Sequence, residues 1–363
     1  MIAPGTQKAA ARVEAARLLD AFAAAGALLV EADILQSADT LLDLYGEEIR
    51  ARAFTTWDPL RGEMMLRPDF TVPVVQAHMA DGAEPARYTY AGEVFRRQEV
   101  DPERAAEYLQ VGFEIFDGSD PAASDAEVFA LFAELLAPLG LRAATGDIGL
   151  LAAVVGGLRT TKRRRAALLR HIWRPRRFRA LLDRFAGRAP PVSGRAALLA
   201  VADPFEKAGP EVGLRDRAEI EGRLAVLRED AAQPPIGAGE VALLDDILHL
   251  REAAPAALGH LRDLQVDAPA LAPAVDRFEA RLAALQARGV DVETLDVEAS
   301  YGRTSLEYYD GFVFGFYAEA RPDLPPVATG GRYDALTRAL GGGRGIPAVG
   351  GVIRPGLVLE VRR

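Results

Sequence analysis

The sequence predicts an α+β protein in which an antiparallel sheet is flanked by helices and interrupted by a helical insertion. Strand-like alternation of apolar and polar residues occurs in the segment 86–117 and returns over 290–318. Between them, from about 149 to 288, apolar residues recur with the helical period, and prolines break the segment. Strands near both ends with helices between them predict one sheet domain divided in sequence. We therefore assign 1–148 and 289–363 to the two parts of one sheet core, and 149–288 to an inserted helical unit.

The segment 86–117 has the pattern of a β-hairpin with a long, charged, proline-containing connection. Because successive strand side chains point to opposite faces, Gln110, Gly112 and Glu114 share one face of the second strand. A carboxamide and a carboxylate with only a glycine between them make a polar floor with open space above it, which could hold a small polar molecule. The alternative is a sheet face that simply meets water, as antiparallel sheets often do.

Local signals predict further elements on both sides of this hairpin. A rigid turn bracketed by Pro68 and Pro73 leads into a helix that begins near Val74. Ser124, followed three residues later by Glu127, has the pattern of a capping box for a helix that ends near residue 138. The remaining elements are, in chain order, a helix over 6–26, a strand over 27–30, a helix over 38–45, two strands within 53–70, a strand over 290–299 and a short apolar run over 349–361.

A second candidate binding surface is a strand expected over 307–318. Alternation places Tyr309 with several glycines on one face, and Tyr308 with three phenylalanines on the other. Glycines interleaved with tyrosines leave room for a ligand with hydroxyl groups at its rim, or else allow close packing of a helix. The glycine-rich stretch 330–345 matches neither the P-loop nor the dinucleotide fingerprint, so a tight turn is its predicted role.

Composition excludes several classes of function. The formal net charge of the 363 residues is -9, which argues against general nucleic-acid binding. The absence of cysteine excludes disulfides, zinc-thiolate sites and a cysteine nucleophile. The four histidines have no ligand or triad spacing, so neither a metal nor a cofactor is predicted. No cleavable leader and no apolar run of about 18 residues occur, and a cytoplasmic protein without a membrane span is expected.

One segment departs from this acidic background. Residues 162–179 hold nine basic side chains together with Trp173 and Phe178. Basic side chains interleaved with aromatic ones are typical of a nucleic-acid surface. Because the rest of the chain is acidic, a solvated helix face or a patch that meets a protein partner is the favoured interpretation.

Five motifs in fixed order resemble the catalytic domain of histidyl-tRNA synthetase, a class II synthetase fold. Together they lie at both ends of the chain and leave the helical insertion out. They are LRPDFTVPV (66–74), FRRQ (95–98), QVGFEIF (110–116), LEYYDGFVF (306–314) and GGRYDAL (330–336).

The resemblance implies a pocket for L-histidine. Glu114 and Tyr309 match the pair that faces the two edges of the imidazole ring, and Tyr333 matches a tyrosine that closes over the ring. A carboxylate and a hydroxyl are suitable partners, because imidazole presents a donor or an acceptor at each edge. The side chains implied for the α-amino end are Asp69, Thr71 and Gln110, with Asp69 standing where the synthetases usually have glutamate.

Departures from the synthetase pattern concern ATP. The arginine expected two residues before the leucine of the L-x-Y-Y motif is replaced by Thr304, although Arg303 is adjacent. Gly356 and Leu357 occupy the places of the glutamate-arginine pair of the third class II motif. Adenylation depends on concentrated positive charge against the triphosphate. The residues that would supply this charge are largely lost. An anticodon-binding domain is also not expected.

Two arginines that remain, Arg96 and Arg303, are candidates for a secondary pocket. Arg96 lies in a second motif whose F-R-x-E pattern ends in Gln98 instead of glutamate. The two arginines keep an alternative open, namely a synthetase-like enzyme that forms an aminoacyl-adenylate for an acceptor other than tRNA.

This combination of kept and lost motifs is similar to a paralogous branch of the family, the regulatory subunits of ATP phosphoribosyltransferase. The resemblance implies a non-catalytic subunit that acts in the first step of L-histidine biosynthesis and in its feedback regulation by histidine. It also implies a short-form catalytic subunit as partner, and a self-dimer within a hetero-oligomer. Whether histidine binds the retained pocket or the catalytic chain is left open by the sequence.

Overall fold

The computed structural model describes residues 6–45, 49–98, 104–190, 194–206, 209–210, 212, 214–303 and 308–362. The β-strands of these ranges are β1 (Leu28–Leu29), β2 (Leu35–Ser37), β3 (Thr55–Asp58), β4 (Gly62–Leu66), β5 (Ala86–Phe95), β6 (Glu107–Phe116), β7 (Arg142–Asp147), β8 (Arg251–Ala253), β9 (Asp296–Glu298), β10 (Phe312–Tyr317), β11 (Ala328–Arg332) and β12 (Ala348–Ile353).

The α-helices of the same ranges cover the remaining regular structure. They are α1 (Thr6–Ala24), α2 (Ala38–Tyr45), α3 (Ile49–Arg52), α4 (Thr71–Asp81), α5 (Pro121–Leu136), α6 (Ile148–Gly157), α7 (Lys162–Arg170), α8 (Pro175–Phe185), α9 (Arg195–Ala200), α10 (Arg217–Ala232), α11 (Ala238–His249), α12 (Ala254–Asp267), α13 (Ala272–Ala287), α14 (Asp334–Leu340) and α15 (Pro355–Val361).

A large mixed sheet organises the fold and confirms the predicted class. Within the described residues its strand order is β1-β5-β6-β12-β11-β10-β7-β9-β8, and a small separate sheet has the order β2-β4-β3. All pairs of the large sheet are antiparallel except the outer pairs β1/β5 and β7/β9. Because β12 pairs with both β6 and β11, the strands from the two ends of the chain form one continuous surface.

One face of this sheet is covered by an aromatic core. Phe22 of α1 lies 5.2 Å from Phe113 of β6 and 5.6 Å from Phe132 of α5, measured between ring centroids. Phe132 in turn contacts Phe314 of β10 edge-on at 5.6 Å. The alternation of strand side chains therefore turns the neighbouring residue, Glu114, toward the opposite face, where the candidate site lies.

The central hairpin is confirmed. The strands β5 and β6 are antiparallel over ten residues each, with Tyr90 opposite Gly112 and Tyr88 opposite Glu114. The alternative of a face that meets water is wrong, because Gln110 and Glu114 are 0% and 1% exposed. Both faces of β6 are buried after its first three residues.

The helix after the two prolines begins earlier than predicted. It starts at Thr71 rather than near Val74, so Pro73 lies in its first turn. Proline is tolerated there because the first N–H groups of a helix have no intrahelical partner to lose. The earlier start matters, since it places Thr71 beside the candidate site.

The predicted capping box at Ser124 is also wrong. The helix begins at Pro121, and its N-cap is Asp120, whose carboxylate accepts a hydrogen bond from the backbone N–H of Ala123. Ser124 lies inside the first turn and donates its hydroxyl to the backbone oxygen of Asp120 at 3.1 Å. Proline at the first helical position and an aspartate before it form the stronger start signal.

The segment 149–288 is mostly helical, but it also contains a strand. The short strand β8 lies within it and pairs with β9, so the insertion adds an edge strand to the large sheet. The helix α13 packs against α5 of the core. Its Arg281 is buried and donates hydrogen bonds to Asp147 at 2.6 Å and to Asp125 at 3.3 Å. The division into domains at residues 148 and 288 stays a prediction.

The last part of the chain differs from prediction in three places. The strand β10 begins at Phe312, so Tyr308 and Tyr309 precede it instead of lying on its two faces. Gly330 and Gly331 lie inside β11 rather than in a tight turn. The apolar run over 349–361 contains the end of β12 and then a helix, α15.

Candidate functional site

Glycines make room for side chains that lie across the site face of the sheet. Gly112 of β6, Gly350 of β12 and Gly331 of β11 lie in adjacent strands. A Cβ atom at Gly350 would overlap the Glu114 carboxylate, and one at Gly112 would overlap the Tyr90 ring. These glycines are needed because other side chains occupy the space above them.

Glu114 is the centre of the site. Its Oε2 accepts a hydrogen bond from the Tyr333 hydroxyl at 2.6 Å, and its Oε1 accepts one from Tyr90 at 2.7 Å and one from Thr71 at 3.1 Å. The Tyr308 hydroxyl donates to Thr71 Oγ1 at 3.3 Å and extends the network. Hydroxyl donors from β5, α4 and the C-terminal strands therefore converge on one carboxylate.

Burial changes the acidity of this carboxylate. Desolvation raises the pKa of Glu114 to about 7, although hydrogen bonds from the hydroxyls of Tyr333, Tyr90 and Thr71 act in the opposite direction. The negative charge of Asp69 also raises the pKa. A carboxyl group with this pKa gains or loses its proton near neutral pH. Whether it can donate a hydrogen bond or only accept one therefore depends on the pH and on the neighbouring groups.

Stability should therefore depend on pH through Glu114. Its pKa is raised from 4.5 to about 7 in the folded chain, so the folded state holds a proton that the unfolded state has released over this interval. The free energy of unfolding should fall as pH rises from about 4.5 to about 7, by on the order of 3 kcal/mol from this group. Urea unfolding at pH 5, 6, 7 and 8 of the wild type and of Glu114→Gln would measure the effect.

The glutamine variant serves as the reference because it cannot titrate. Its stability advantage over the wild type should grow between pH 5 and 7 and become constant above pH 8. A difference that does not change with pH would contradict the raised pKa. Other titrating groups are common to both proteins and cancel in the comparison.

Tyr90 is the site residue that the sequence analysis missed. It is 0% exposed, its ring stacks on Phe70 with centroids 4.4 Å apart, and it covers Gly112. The predicted open space above Gly112 is therefore wrong, since this ring fills it. The glycine directly opposite Tyr90 in the hairpin was the available signal, because a glycine inside a strand often marks the close approach of another group.

Gln110 is the site residue with unused hydrogen-bonding capacity. It is 0% exposed, and within the described ranges neither its amide nitrogen nor its amide oxygen has a hydrogen-bond partner. Leaving a buried amide unpaired costs free energy on the order of 1–3 kcal/mol per group. Such a residue, on the same strand face as Glu114, is suited to a polar ligand that would supply the missing partners.

Asp69 and Tyr309 complete the predicted set. Asp69 is 4% exposed, and its carboxylate accepts from the backbone N–H of Val72 at 3.3 Å, at the start of α4. Tyr309 is 5% exposed, and burial followed by the charge of Glu114 raises its pKa above the ordinary value. Of the predicted residues, Thr71, Tyr333, Asp69 and Tyr309 lie around Glu114, and Gln110 lies on the same face of β6. Their role in binding histidine stays a prediction.

The two secondary candidates separate. Arg96 donates its Nε to the backbone oxygen of Pro68 at 2.7 Å, next to Asp69. Arg303 points toward the insertion, where its Nε donates to the backbone oxygen of Ile172 at 2.6 Å and its guanidinium lies 5.0 Å from the centroid of Phe178. Thr304, Leu306 and Glu307, which the motif analysis also used, lie outside the described residues.

The basic segment is built differently from a nucleic-acid surface. Phe178 is 1% exposed and packs under Arg303, while the indole N–H of Trp173 donates to the backbone oxygen of Tyr309 at 3.0 Å. Arg164 is also buried and pairs with Asp230 at 2.7 Å. The aromatic side chains of the basic segment therefore contribute to packing, not to base stacking. For the exposed cations of this segment, a solvated helix face or a patch that meets a protein partner stays the prediction.

Two further findings concern the described part of the chain. There, no helix is long and apolar enough to cross a membrane. In the same ranges, no group of three or more histidine, aspartate or glutamate side chains could hold a metal ion.

Comparison with known proteins agrees with the resemblance of the motifs. A family model described as histidyl-tRNA synthetase matches residues 3–209 and 214–355. An ATP phosphoribosyltransferase regulatory subunit of Brucella anthropi is 35% identical over 342 residues, which cover 89% of this chain and 90% of that relative. The protein of the same name from Brucella canis is 34% identical over 342 residues, with the same coverage.

Solved structures share the fold. One, described as an ATP phosphoribosyltransferase regulatory subunit/histidyl-tRNA synthetase from Bacillus halodurans C, superimposes with a TM-score of 0.68 at 21% identity over 98% of this chain and 80% of that one. A histidyl-tRNA synthetase from Nostoc sp. PCC 7120 gives a TM-score of 0.62 at 17% identity over 97% of this chain and 71% of that one. At these identities the likeness concerns the fold alone.

Proposed function

Since this chain belongs to the histidyl-tRNA synthetase family, and within it to the ATP phosphoribosyltransferase regulatory subunits, we propose that it binds L-histidine at the Glu114 site and regulates a separate catalytic chain. The partner is a short-form catalytic ATP phosphoribosyltransferase subunit. The reaction it serves is the first step of L-histidine biosynthesis, which histidine would inhibit through this subunit. The phosphoribosyl transfer takes place in the partner.

The observation that carries this proposal is a buried carboxylate beside a buried, unpaired amide. Glu114 can accept a hydrogen bond from an imidazole N–H, since in the described part of the chain its Oε2 has only the Tyr333 hydroxyl as a partner. Gln110 offers a donor and an acceptor to the polar end of the same ligand. Bound histidine would satisfy groups that are costly to leave unpaired, and this supports a specific amino-acid site.

The regulatory role requires two arrangements of the subunit. A ligand can shift an equilibrium only by the difference between its affinities for two states. Tyr90 and Tyr333 are suited to such a change, because their hydroxyls donate to the carboxylate that an imidazole would also use. Histidine binding would rearrange these contacts. The hydrogen bond from the indole N–H of Trp173 to the backbone oxygen of Tyr309 joins the site to the helical insertion.

Titration separates this proposal from the enzymatic alternative. We expect the isolated chain to bind L-histidine in isothermal titration and to catalyse no pyrophosphate exchange with ATP and magnesium. Adding the chain to the short-form catalytic subunit should activate it, and L-histidine should reverse the activation. ATP binding together with pyrophosphate exchange would instead favour the adenylate-forming enzyme.

The subunit is also proposed to dimerise, through the edge at β1. This strand is the outer member of the large sheet, and Leu28 and Leu29 are 67% and 65% exposed on it. An open strand edge with exposed apolar side chains is a template for association. Val13 of helix α1, which contacts β1, is also exposed, at 73%.

Replacing Leu29 by arginine should therefore weaken the dimer. Burying a leucine contributes about 1.5–3 kcal/mol, so we expect dissociation to become at least about tenfold easier. Sedimentation velocity over a range of concentrations measures this. Val266→Arg, which changes an exposed apolar residue of α12 in the insertion, is the control and should leave the dimer unchanged. A monomeric wild type would contradict the proposal.

A further inference from the structure

A cavity lies on the site face of the sheet, next to the histidine site but separate from Glu114. Its volume is about 310 Å³. It reaches from β10 and β11 to the first residue of α8, and its walls include Pro175, Glu298, Ser300, Tyr301, Arg303 and Thr329. Gly315 shapes its floor, because a Cβ there would overlap the Tyr301 hydroxyl.

Arg303 brings an uncompensated positive charge to this cavity. The residue is 6% exposed and its guanidinium packs on the Phe178 ring. Among the described residues, its one hydrogen bond runs from Nε to the backbone oxygen of Ile172. Its buried Nη2 has no hydrogen-bond partner, and no salt bridge to Arg303 occurs among the described residues. The charge that acts on it is that of another cation, Arg179.

Such an arrangement is costly without a counter-ion. A buried charge must be paired or hydrogen-bonded to offset its desolvation. Burial and the charge of Arg179 lower the pKa of Arg303 to about 10, so the guanidinium is still positive at neutral pH. Glu298 is the carboxylate in the cavity wall, but its Oε1 already accepts from Arg251 at 2.8 Å. The charge of Arg303 is therefore left for a ligand to neutralise.

Hydroxyl groups in the same cavity can orient an anion. Thr329 Oγ1 accepts from Arg354 at 3.4 Å, so the hydrogen of this hydroxyl is available for donation. Ser300 makes only a weak contact, at 3.4 Å, to Glu298. We propose that this cavity binds a small anion, whose carboxylate or phosphate group pairs with Arg303 and accepts hydrogen bonds from Thr329 and Ser300.

Direct titration of the full chain tests the proposal. Inorganic phosphate, pyrophosphate, acetate and ATP are each titrated by calorimetry at constant ionic strength maintained with chloride. We expect saturable binding of at least one of these anions. Competition of inorganic phosphate with ATP would identify a nucleotide phosphate as the source, whereas binding of the inorganic anions or acetate alone would identify a free anion. Absence of saturable binding by all four would overturn the proposal.

Two substitutions with opposite expected effects locate the site. Arg303→Met should weaken anion binding by about tenfold or more, because a hydrogen-bonded charge is lost. Glu298→Gln should strengthen it by a few-fold, about threefold, because a like charge is removed from the cavity wall. A gain of affinity cannot come from misfolding, so Glu298→Gln decides the matter even if the buried arginine is needed for folding.

Arg176→Met is the matched control. This exposed cation lies in the first turn of α8, outside the cavity wall, and its loss should not change the affinity. Anion binding that is unchanged in both Arg303→Met and Glu298→Gln, or that falls equally in Arg176→Met, would place the anion elsewhere and overturn the assignment.

Discussion

Glu114→Gln should remove high-affinity binding of L-histidine, with a loss of about 100-fold. The carboxylate is the charged acceptor in a buried network, and hydrogen bonds to charged groups contribute about 1.5–3 kcal/mol. The amide keeps the size of the side chain, but it puts a donor where an acceptor is needed. Calorimetric titration at pH 8, where the wild-type carboxyl group is ionised, measures the loss.

Glu107→Gln provides the matched control for this experiment. It makes the same chemical change at the exposed start of the same strand, β6, and should leave histidine affinity unaltered. In the complex with the catalytic subunit, Glu114→Gln should also abolish inhibition by histidine while activation persists. Wild-type affinity in Glu114→Gln would mean that histidine binds elsewhere, on the partner or at the interface between the chains.

Arg281→Ala should produce the largest loss of stability. This buried side chain of α13 bridges Asp125 of α5 and Asp147 of β7, at 3.3 Å and 2.6 Å. Removing one member of a buried ionic cluster leaves uncompensated charges and typically costs 3–5 kcal/mol. Arg332 would remain as the partner of Asp125, through a contact of 2.7 Å, so Asp147 should be the more severely affected carboxylate. Urea unfolding monitored by circular dichroism measures the change.

A control on the same helix distinguishes the ionic cluster from a general effect on α13. Arg277→Ala changes an exposed arginine four residues away and should cost less than about 1 kcal/mol. Equal losses in the two variants would show that the buried ionic cluster does not determine the result. If Arg281→Ala unfolds completely, Arg281→Met with Asp147→Asn should recover part of the stability, because the uncompensated charge is then removed as well.

The sheet was predictable because its signals are local or periodic. Alternation in the segments that became β5, β6 and β10 identified strands, and the same alternation separated Glu114 from the aromatic core. The strand order was not predictable from residue patterns alone, because pairing of β12 with β6 depends on contacts between distant segments.

The motifs identified residues of the candidate site, but they did not include every side chain that contacts Glu114. All six residues implied for the histidine pocket lie at the site, but Tyr90 belongs to none of the motifs that were used. Its role follows from its position opposite Gly112, which only strand pairing determines. The helix start at Thr71 was misplaced because Pro73 was taken as the end of a rigid turn rather than as a first-turn residue. The start at Pro121 was missed because Ser124 and Glu127 have the pattern of a capping box.

The central position of β12 has a consequence for synthesis of the protein. Roughly 230 residues separate the end of β6 from the start of β12, and at about 5–20 residues per second a ribosome needs on the order of 10 to 50 s to translate them. Throughout this interval β6 lacks its neighbour on one side, and an unpaired strand edge promotes association between chains. A ribosome that stalls before residue 348 therefore leaves two half-sheets with open edges, not a partly working subunit.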